Sequence, residues 1–249
     1  MLLVLAAAGL ALVGAAGASS DSHVAWSYSG DTGPTHWGSL SPDYAICDTG
    51  LQQSPIDIAK WVSAPTLQAP VVHYAAGAAT IVDNGHTIQA QTGDPANHVT
   101  LAGHEYELHQ VHFHVDSEHT IRGRKAPLEL HFVNIDASGN AAVIGLLVQP
   151  GRANRAWQPF VKAIGSVAPG HDVPATLPWP RMAPRHYRAF TYPGSLTTPG
   201  CAQIVTWFVA VRPITMSQTQ IDAFAAHYDH NTRPVQPLDG RVVQVTARN

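Results

Sequence analysis

The feature that most constrains the fold is a succession of short β-prone runs separated by turn residues. Five such runs occur in the first two thirds of the chain, at 80–82, 87–91, 106–115, 128–134 and 142–148, and a sixth covers 204–211. Asn-Gly, Gly-Asp and Ser-Gly pairs, or a single glycine, separate them, and these residues are typical of tight turns. Strands this short and this closely spaced favour a mostly antiparallel sheet.

Helical signals are few by comparison. An apolar stripe at helical spacing runs from Trp157 to Ile164. Ser217 and Gln220 form a capping-box pattern, which predicts a helix that begins there and continues through Tyr228. No repeat, charge block or long linker divides the chain. We therefore predict a β-rich α+β protein, a single domain built on a large, mostly antiparallel twisted central β-sheet with a few short peripheral helices.

Composition narrows the classes of partner. Of the 249 residues 45% are hydrophobic and 12% are charged, which allows a sizeable core. The formal net charge of −3 shows no basic excess, so nucleic acid is excluded as an expected partner. The 15 histidines outnumber the 14 Lys and Arg residues together. Such an excess favours metal chemistry or proton handling.

Residues 1–18 differ in kind from residues 19–249. Leu2 to Val13 is an apolar run, and an Ala-x-Ala cleavage pattern ends at Ala18. This pattern predicts a secretory signal peptide, although no Lys or Arg precedes the run, and a buried mature helix is the alternative. No later segment is apolar for long enough to cross a bilayer. We expect a secreted protein, with the bacterial periplasm as the preferred address.

Export makes the two cysteines informative. Cys47 and Cys201 are the available pair, and an oxidising compartment favours a disulfide between them. In the chain-entropy account a loop of this length stabilises a fold by up to roughly 5 kcal/mol. Two unrelated buried thiols are the alternative.

A pair of histidines carries the chemistry. In the β-prone run 106–115, His112 and His114 are two residues apart and therefore share one face of a strand. His131 lies in the run 128–134, which could be a neighbouring strand. Three histidines with an open fourth position form the ligand pattern of a catalytic Zn²⁺ site. By itself the His-x-His pattern is equally compatible with ordinary core or surface histidines.

Neighbouring polar residues support a metal site. Gln110 precedes His112 by two residues and Glu129 precedes His131 by two, so each can accept a hydrogen bond from the other ring nitrogen of its histidine. Both are also common polar strand residues. Glu118 allows a second interpretation, because a cupin would use it as a fourth metal ligand. The expected cupin glycine is absent, however, and no second cupin motif surrounds His131.

These residues resemble the α-class carbonic anhydrases, and the resemblance spans almost the whole mature chain. The matching strings are Gly33-Pro34-Thr35-His36-Trp37-Gly38, Gln53-Ser54-Pro55-Ile56-Asp57-Ile58, Asn84-Gly85-His86, Gln110-x-His112-x-His114, Ser117-Glu118-His119-Thr120, Glu129-Leu130-His131, Tyr192-Pro193-Gly194-Ser195-Leu196-Thr197-Thr198-Pro199 and Arg233-Pro234-x-Gln236-Pro237. The resemblance implies a zinc enzyme that hydrates carbon dioxide reversibly to bicarbonate and a proton by means of a zinc-bound hydroxide.

The resemblance also implies a role for individual residues. His112, His114 and His131 would bind zinc, and Thr197 would accept a hydrogen bond from the hydroxide while donating its own proton to Glu118. A second group would form the substrate pocket: Val133, Val143, Leu196, Thr198 and Trp207. A third would move the proton to solvent: His86 as the shuttle, with Tyr28, Asn84 and Gln89 ordering the connecting waters. His119 resembles a structural residue of the family.

Three functional readings follow. The first is an active carbonic anhydrase, a lyase acting on a small molecule, as a monomer or a homodimer. The second is a catalytically silent relative that serves as a binding module, and such relatives typically lack a zinc ligand. The third is a cupin-type metalloprotein, which differs in whether Glu118 coordinates the metal.

Overall fold

The computed structural model of the protein describes residues 24–247. The predicted signal peptide therefore lies outside the described residues. Strands dominate and the helices are short, so the predicted β-rich class is confirmed. The strands are β1 Asp57–Ile58, β2 Val62–Gln68, β3 Val71–His73, β4 Gly77–Asp83, β5 Ile88–Gln91, β6 His98–Leu101, β7 His104–His114, β8 Thr120–Ile121, β9 Leu128–Ile135, β10 Ala141–Pro150, β11 Val173–Leu177, β12 Ala189–Gly194, β13 Val205–Ala210, β14 Ile214–Met216 and β15 Gln244–Ala247.

One large sheet holds thirteen of these strands. Its main path runs in the order β11-β4-β5-β7-β9-β10-β13-β12-β15-β2, and β3, β6 and β14 pair at its sides. Most neighbours are antiparallel, as expected; the β10–β13, β10–β14 and β15–β2 pairs are parallel. The remaining two strands, β1 and β8, form a separate parallel pair. The six β-prone runs of the sequence lie in β4, β5, β7, β9, β10 and β13.

The central strands carry the core on both faces. Every residue from Leu128 to Asn134 in β9 is buried, and so is 141–148 in β10. Near-continuous apolar sequence fits a strand that is covered on both sides. Within β9 three buried residues are polar, namely Glu129, His131 and Asn134. Because they are shielded from water, their side chains need hydrogen-bond partners inside the protein.

The register of the central strands places the site residues in two adjacent rows on one face of the sheet, each row running across neighbouring strands. Residues directly opposite each other in a sheet point to the same face. The first row consists of Gln110, Val133, Val143 and Trp207, and the second of Gln89, His112, His131 and Gly145. A register shift between Leu108 and Gln110 precedes this region of β7.

Within residues 24–247 five short α-helices pack around the sheet: α1 Trp37–Leu40, α2 Ile46–Thr49, α3 Gln158–Ile164, α4 Trp179–Met182 and α5 Gln218–Ala225. The predicted capping box is present, because Ser217 and Gln220 bond reciprocally to each other's backbone N–H. The predicted continuation of α5 through Tyr228 is wrong. The helix ends at Ala225 because the Tyr228 hydroxyl bonds to the Asp83 carboxylate, and the chain must then turn so that Asn231 reaches β7.

Residues 24–56, which precede the first strand and are called the entry segment here, are fastened to the rest of the protein by covalent and polar contacts. Cys47 and Cys201 form a disulfide across 154 positions of sequence, as their number and the inferred compartment predict. The buried Arg233 guanidinium donates hydrogen bonds to the Cys47 and Ser54 carbonyls and to Gln53 Oε1, each at 2.8 Å. This clamp holds the segment that covers one side of the site.

Candidate metal centre

The three histidines predicted as ligands converge on one point. His112 Nε2 lies 3.0 Å from His114 Nε2 and 3.3 Å from His131 Nδ1. The strand register explains this convergence. His112 and His131 are directly opposite each other in β7 and β9, and His114 follows His112 by two positions on the same face. Glu118 is not part of this cluster of ligand atoms, which all lie within 4.8 Å of one another.

Hydrogen-bond partners fix the tautomer of each ring. His112 Nδ1 faces Gln110 Oε1 at 2.8 Å, and His114 Nδ1 faces the Asn231 carbonyl at 2.6 Å. Both partners are acceptors, so these ring nitrogens carry the proton. His131 Nε2 likewise lies 3.0 Å from Glu129 Oε1. The nitrogens that face one another therefore carry no proton and are bare in this sense. Three such imidazole nitrogens directed at one point fit a zinc ion.

Electrostatics keeps these rings neutral. Burial lowers the pKa of His112 well below its ordinary value, and the neighbouring His114 and His131 lower it further. Burial also lowers the pKa of His114, to about 4, and that of His131. Neutral imidazole is the form that binds a metal, so the site is ready at neutral pH without first losing protons.

Glu129 serves two histidines. Its carboxylate accepts hydrogen bonds from the ring and the backbone N–H of His119, both at 2.8 Å, besides facing His131. Burial opposes ionisation, but His119 and His131 hold the pKa of Glu129 well below its ordinary value. The other ring nitrogen of His119 contacts the Tyr192 hydroxyl at 2.6 Å. Both nitrogens of His119 are thus engaged, which fits a structural role.

Glu118 and Thr197 lie beside the three histidines. Glu118 is 1% exposed; its Oε1 accepts a 2.8 Å hydrogen bond from the Arg233 backbone and its Oε2 lies 3.4 Å from His114 Nε2. Burial raises the pKa of Glu118 to about 7, against opposing effects of His131, the Arg233 backbone and the Thr197 side chain. A cation at the histidines would favour the ionised carboxylate.

A cavity of about 290 Å³ opens above the histidines. It brings together nearly all the residues that the sequence assigned to substrate and proton handling. Its lining comprises Tyr28, Asn84, His86, Gln89, Gln110, His112, His114, His131, Val133, Val143, Leu196, Thr197, Thr198 and Trp207, and in addition Trp26 and Thr87. Glu118 and Glu129 lie behind this surface. The lining combines apolar side chains, Val133, Val143, Leu196 and Trp207, with polar ones such as Asn84, Gln89 and Gln110.

Comparison with known proteins identifies the family. The sequence model described as eukaryotic-type carbonic anhydrase matches residues 32–247. A carbonic anhydrase of Pectobacterium carotovorum is 38% identical over 231 residues, covering 91% of this chain and 93% of its own. The chain belongs to the α-carbonic anhydrase family.

Solved structures agree with this assignment. The α-carbonic anhydrase of Thermovibrio ammonificans, in complex with the inhibitor sulfanilamide, is 38% identical and superposes with a TM-score of 0.81 over 89% of this chain and 99% of its own. Dioscorin complexed with ascorbate has the same fold at 26% identity, with a TM-score of 0.83 over 90% of this chain and 99% of its own. As a carbonic anhydrase the protein is an enzyme, and its substrates are small molecules. Membership of this family supports carbon dioxide hydration as its reaction. No helix within residues 24–247 is long and apolar enough to span a membrane.

Two residues of this carbonic anhydrase site escape sequence reasoning. Asn231 orients His114 through its carbonyl, and its side chain accepts from the Val115 N–H at 2.8 Å. It lies 117 positions from His114, and no local pattern marks it. Trp26 stacks on His86 with ring centroids 3.6 Å apart and planes 12° apart. The available signal was the scatter of tryptophans in the entry segment.

Proposed function

We propose that the protein catalyses the reversible hydration of carbon dioxide to bicarbonate and a proton with a zinc ion held by His112, His114 and His131. The observation that carries the proposal is the convergence of three bare imidazole nitrogens at one end of a largely apolar cavity. When bound, zinc supplies Lewis acidity and lowers the pKa of a coordinated water from 15.7 to about 7.

Thr197 and Glu118 orient the reacting water. Thr197 lines the cavity, whereas Glu118 is buried behind it and already accepts the Arg233 backbone N–H. The Thr197 hydroxyl donates a hydrogen bond to the Glu118 carboxylate. Its oxygen lone pair is then turned to the cavity, where it accepts a hydrogen bond from the water and directs that water's own lone pair at the substrate carbon.

The apolar wall receives carbon dioxide. Val133, Val143 and Trp207 lie in one row of the register beside the histidines, and Leu196 and Thr198 complete the wall. Carbon dioxide makes few polar contacts, so a surface that water wets poorly favours it over solvent. Val143 is 2% exposed, and a larger side chain there has to enter the cavity.

His86 carries the released proton to solvent. It is half-buried at the cavity mouth; burial lowers its pKa, while the carboxylate of Asp83 raises it. A pKa near the working pH suits a group that must both accept and release a proton. Tyr28, Asn84 and Gln89 line the cavity between the histidines and the mouth, and hold the waters through which the proton travels.

We propose in addition that residues 1–18 direct export to the bacterial periplasm and that residues 19–249 form the mature enzyme. The disulfide between Cys47 and Cys201 supports an oxidising compartment. Mass spectrometry of the exported protein should give a chain that begins at Ser19. An intact N-terminus on exported protein would refute the cleavage site. Monomer and homodimer both remain compatible with this proposal, and sedimentation would separate them.

Stopped-flow carbon dioxide hydration tests the function. We expect fast hydration by the zinc-loaded mature protein and loss of at least about a hundredfold in His114→Ala, since the removal of one ligand weakens metal binding and opens the site. His104→Ala is the matched control, because His104 is an exposed histidine of the same strand. Equal rates in wild type and His114→Ala would refute the assignment of the ligands.

A catalytically silent binding module is the second candidate. The similarity to dioscorin, a protein seen in complex with ascorbate, favours it. Retention of all three histidines together with Glu118 and Thr197 favours the enzyme. A folded, zinc-loaded protein that binds ascorbate without hydrating carbon dioxide would reverse this order.

A further inference from the structure

A second pair of cavities lies apart from the metal centre and is lined by cations. The first, of about 590 Å³, is lined by Arg185, Arg188 and Arg212 among other residues. The second, of about 470 Å³, is lined by Arg122, Arg124 and Lys125. Neither lining shares a residue with the cavity above the histidines.

The two cavities adjoin one another. Val211 and Pro213 line both, whereas Leu146 and Leu147 of β10, which point to opposite faces of the sheet, line one each, so the cavities lie on opposite faces and meet at residues 211–213. The loop between β13 and β14 therefore forms the ridge between them. A ligand that crosses this ridge meets cations on both sides of it.

The acidic side chain of Asp57 comes near this group, because it accepts a 2.8 Å hydrogen bond from the backbone N–H of Gly123, but it forms no ion pair with Arg122 or Arg124. Among the described residues that line the two cavities there is no aspartate or glutamate. None of the six cations lies within 4.0 Å of a carboxylate in residues 24–247, where each ion pair involves a histidine. The chain as a whole has a formal net charge of −3, yet six of its 14 Lys and Arg residues gather here. A local excess of this kind attracts anions against the sign of the whole protein.

Other contacts hold part of this group in place. Arg188 donates from Nε to the Thr246 carbonyl at 3.2 Å, which leaves its terminal nitrogens for a ligand. The Arg122 guanidinium lies 5.1 Å from the centroid of the Trp61 ring, and Trp61 in turn packs on Phe190 at 4.9 Å. Five of the six cations are arginines, whose planar fork donates two parallel hydrogen bonds to a phosphate, sulfate or carboxylate group.

We propose that these adjoining cavities, named here the basic cleft, form a binding site for a soluble anion that bears several phosphate or sulfate ester groups. A single small anion would use one cavity, whereas cations on both sides of the ridge match charges spaced along one molecule. Concave walls favour a soluble ligand over a bilayer surface, since a molecule of this kind can enter the cleft. The site is independent of the zinc chemistry.

Isothermal titration with sucrose octasulfate as the probe tests the site in the zinc-loaded protein. We expect one binding event at low ionic strength, weakened strongly at high salt because exposed charges are screened there. Arg185→Gln/Arg212→Gln and Arg122→Gln/Arg124→Gln should each weaken binding by about tenfold, as expected for the loss of charged hydrogen bonds. Carbon dioxide hydration and thermal unfolding, measured on the same variants, should stay close to wild type.

The control is Lys162→Gln/Arg181→Gln, which removes the same number of charges from exposed residues outside both cavities. It should bind the probe as wild type does. Loss equal to that of the cleft variants would show diffuse attraction and overturn the proposal, as would the absence of binding at low salt. Removal of zinc by chelation should leave binding unchanged; its disappearance would place the probe at the metal and overturn the proposal. Binding to phosphatidylglycerol vesicles without binding to the probe would replace the soluble ligand by a lipid surface.

Discussion

Replacement of Asn231 by alanine tests how a residue that is not itself a metal ligand supports the metal site. The side chain is 1% exposed, accepts from the Val115 N–H at 2.8 Å and donates to the Phe113 carbonyl at 2.9 Å. The Phe113 carbonyl keeps a second donor, the Thr87 hydroxyl at 2.8 Å. The side chain also donates to the His86 carbonyl at 3.3 Å. In the variant the Val115 N–H loses the Asn231 side-chain acceptor, so one buried donor is left unsatisfied and two further hydrogen bonds are removed.

These losses have a predictable size. An unsatisfied buried donor costs about 1–3 kcal/mol and each of two lost hydrogen bonds about 0.5–1.5 kcal/mol, so the free energy of unfolding of Asn231→Ala should fall by about 2–6 kcal/mol. The backbone carbonyl of residue 231, which fixes His114 at 2.6 Å, loses its anchor at the same time. Partners of this kind are worth about 10–100-fold in metal affinity.

Two assays separate the effects. Urea unfolding of the zinc-free proteins gives the stability change, and competition with a chelator of known affinity gives the zinc affinity. The control is Asn140→Ala, because Asn140 is exposed and bonds to Asp136 at 3.0 Å, and a change of this type should stay within about 0.5 kcal/mol. Lower stability with unchanged zinc affinity would refute the claim that Asn231 orients His114. Unchanged stability would refute the account of its side chain.

Other predictions test neighbouring parts of the site. In Gly145→Ala the new Cβ would lie 2.9 Å from Glu129 Oε1, so the carboxylate has to shift; zinc affinity should fall about 10–100-fold in the chelator assay, and wild-type affinity would contradict this. Val143→Tyr should abolish most carbon dioxide hydration while zinc content, measured by atomic absorption, stays at wild type; unchanged turnover would show that the pocket is elsewhere. His86→Ala should slow turnover mainly in dilute buffer, with recovery on addition of imidazole, whereas an equal loss at every buffer concentration would count against the shuttle. Burial lowers the pKa of His86 from its ordinary 6.5, so the ring stays neutral to a more acidic pH than in an unfolded chain; Trp26→Ala should raise the NMR titration midpoint toward 6.5, and an unmoved midpoint would show that the stacked indole is not the cause.

The sequence predicts those parts of the molecule that depend on local pattern. Alternation along a strand is enough to place His112 and His114 on one face, and the β-prone runs locate the central strands. The end of α5 was not predictable in this way, because it depends on the bond between Tyr228 and Asp83, 145 positions apart. Local propensity favoured one more turn of helix, and tertiary contacts overrode it.

The support of the site shows the same limit. The spacing of Glu129 and His131 predicts that they share a face, and the structure places them 3.0 Å apart. It does not predict that the carboxylate is also held by His119, because that contact requires the loop between β7 and β9 to fold back onto β9. Asn231 and Arg233 likewise reach the site from the far end of the chain, where no spacing rule relates them to the histidines.

Zinc titration of the metal-free enzyme tests the central claim most directly. Carbon dioxide hydration is followed by stopped flow after each addition of zinc to the chelated mature protein. The account predicts activity that rises in proportion to added zinc and levels off at one zinc ion per chain, because the three histidines offer one site. Activity that is independent of zinc, or a fully loaded, folded protein with no hydration above buffer, would contradict it.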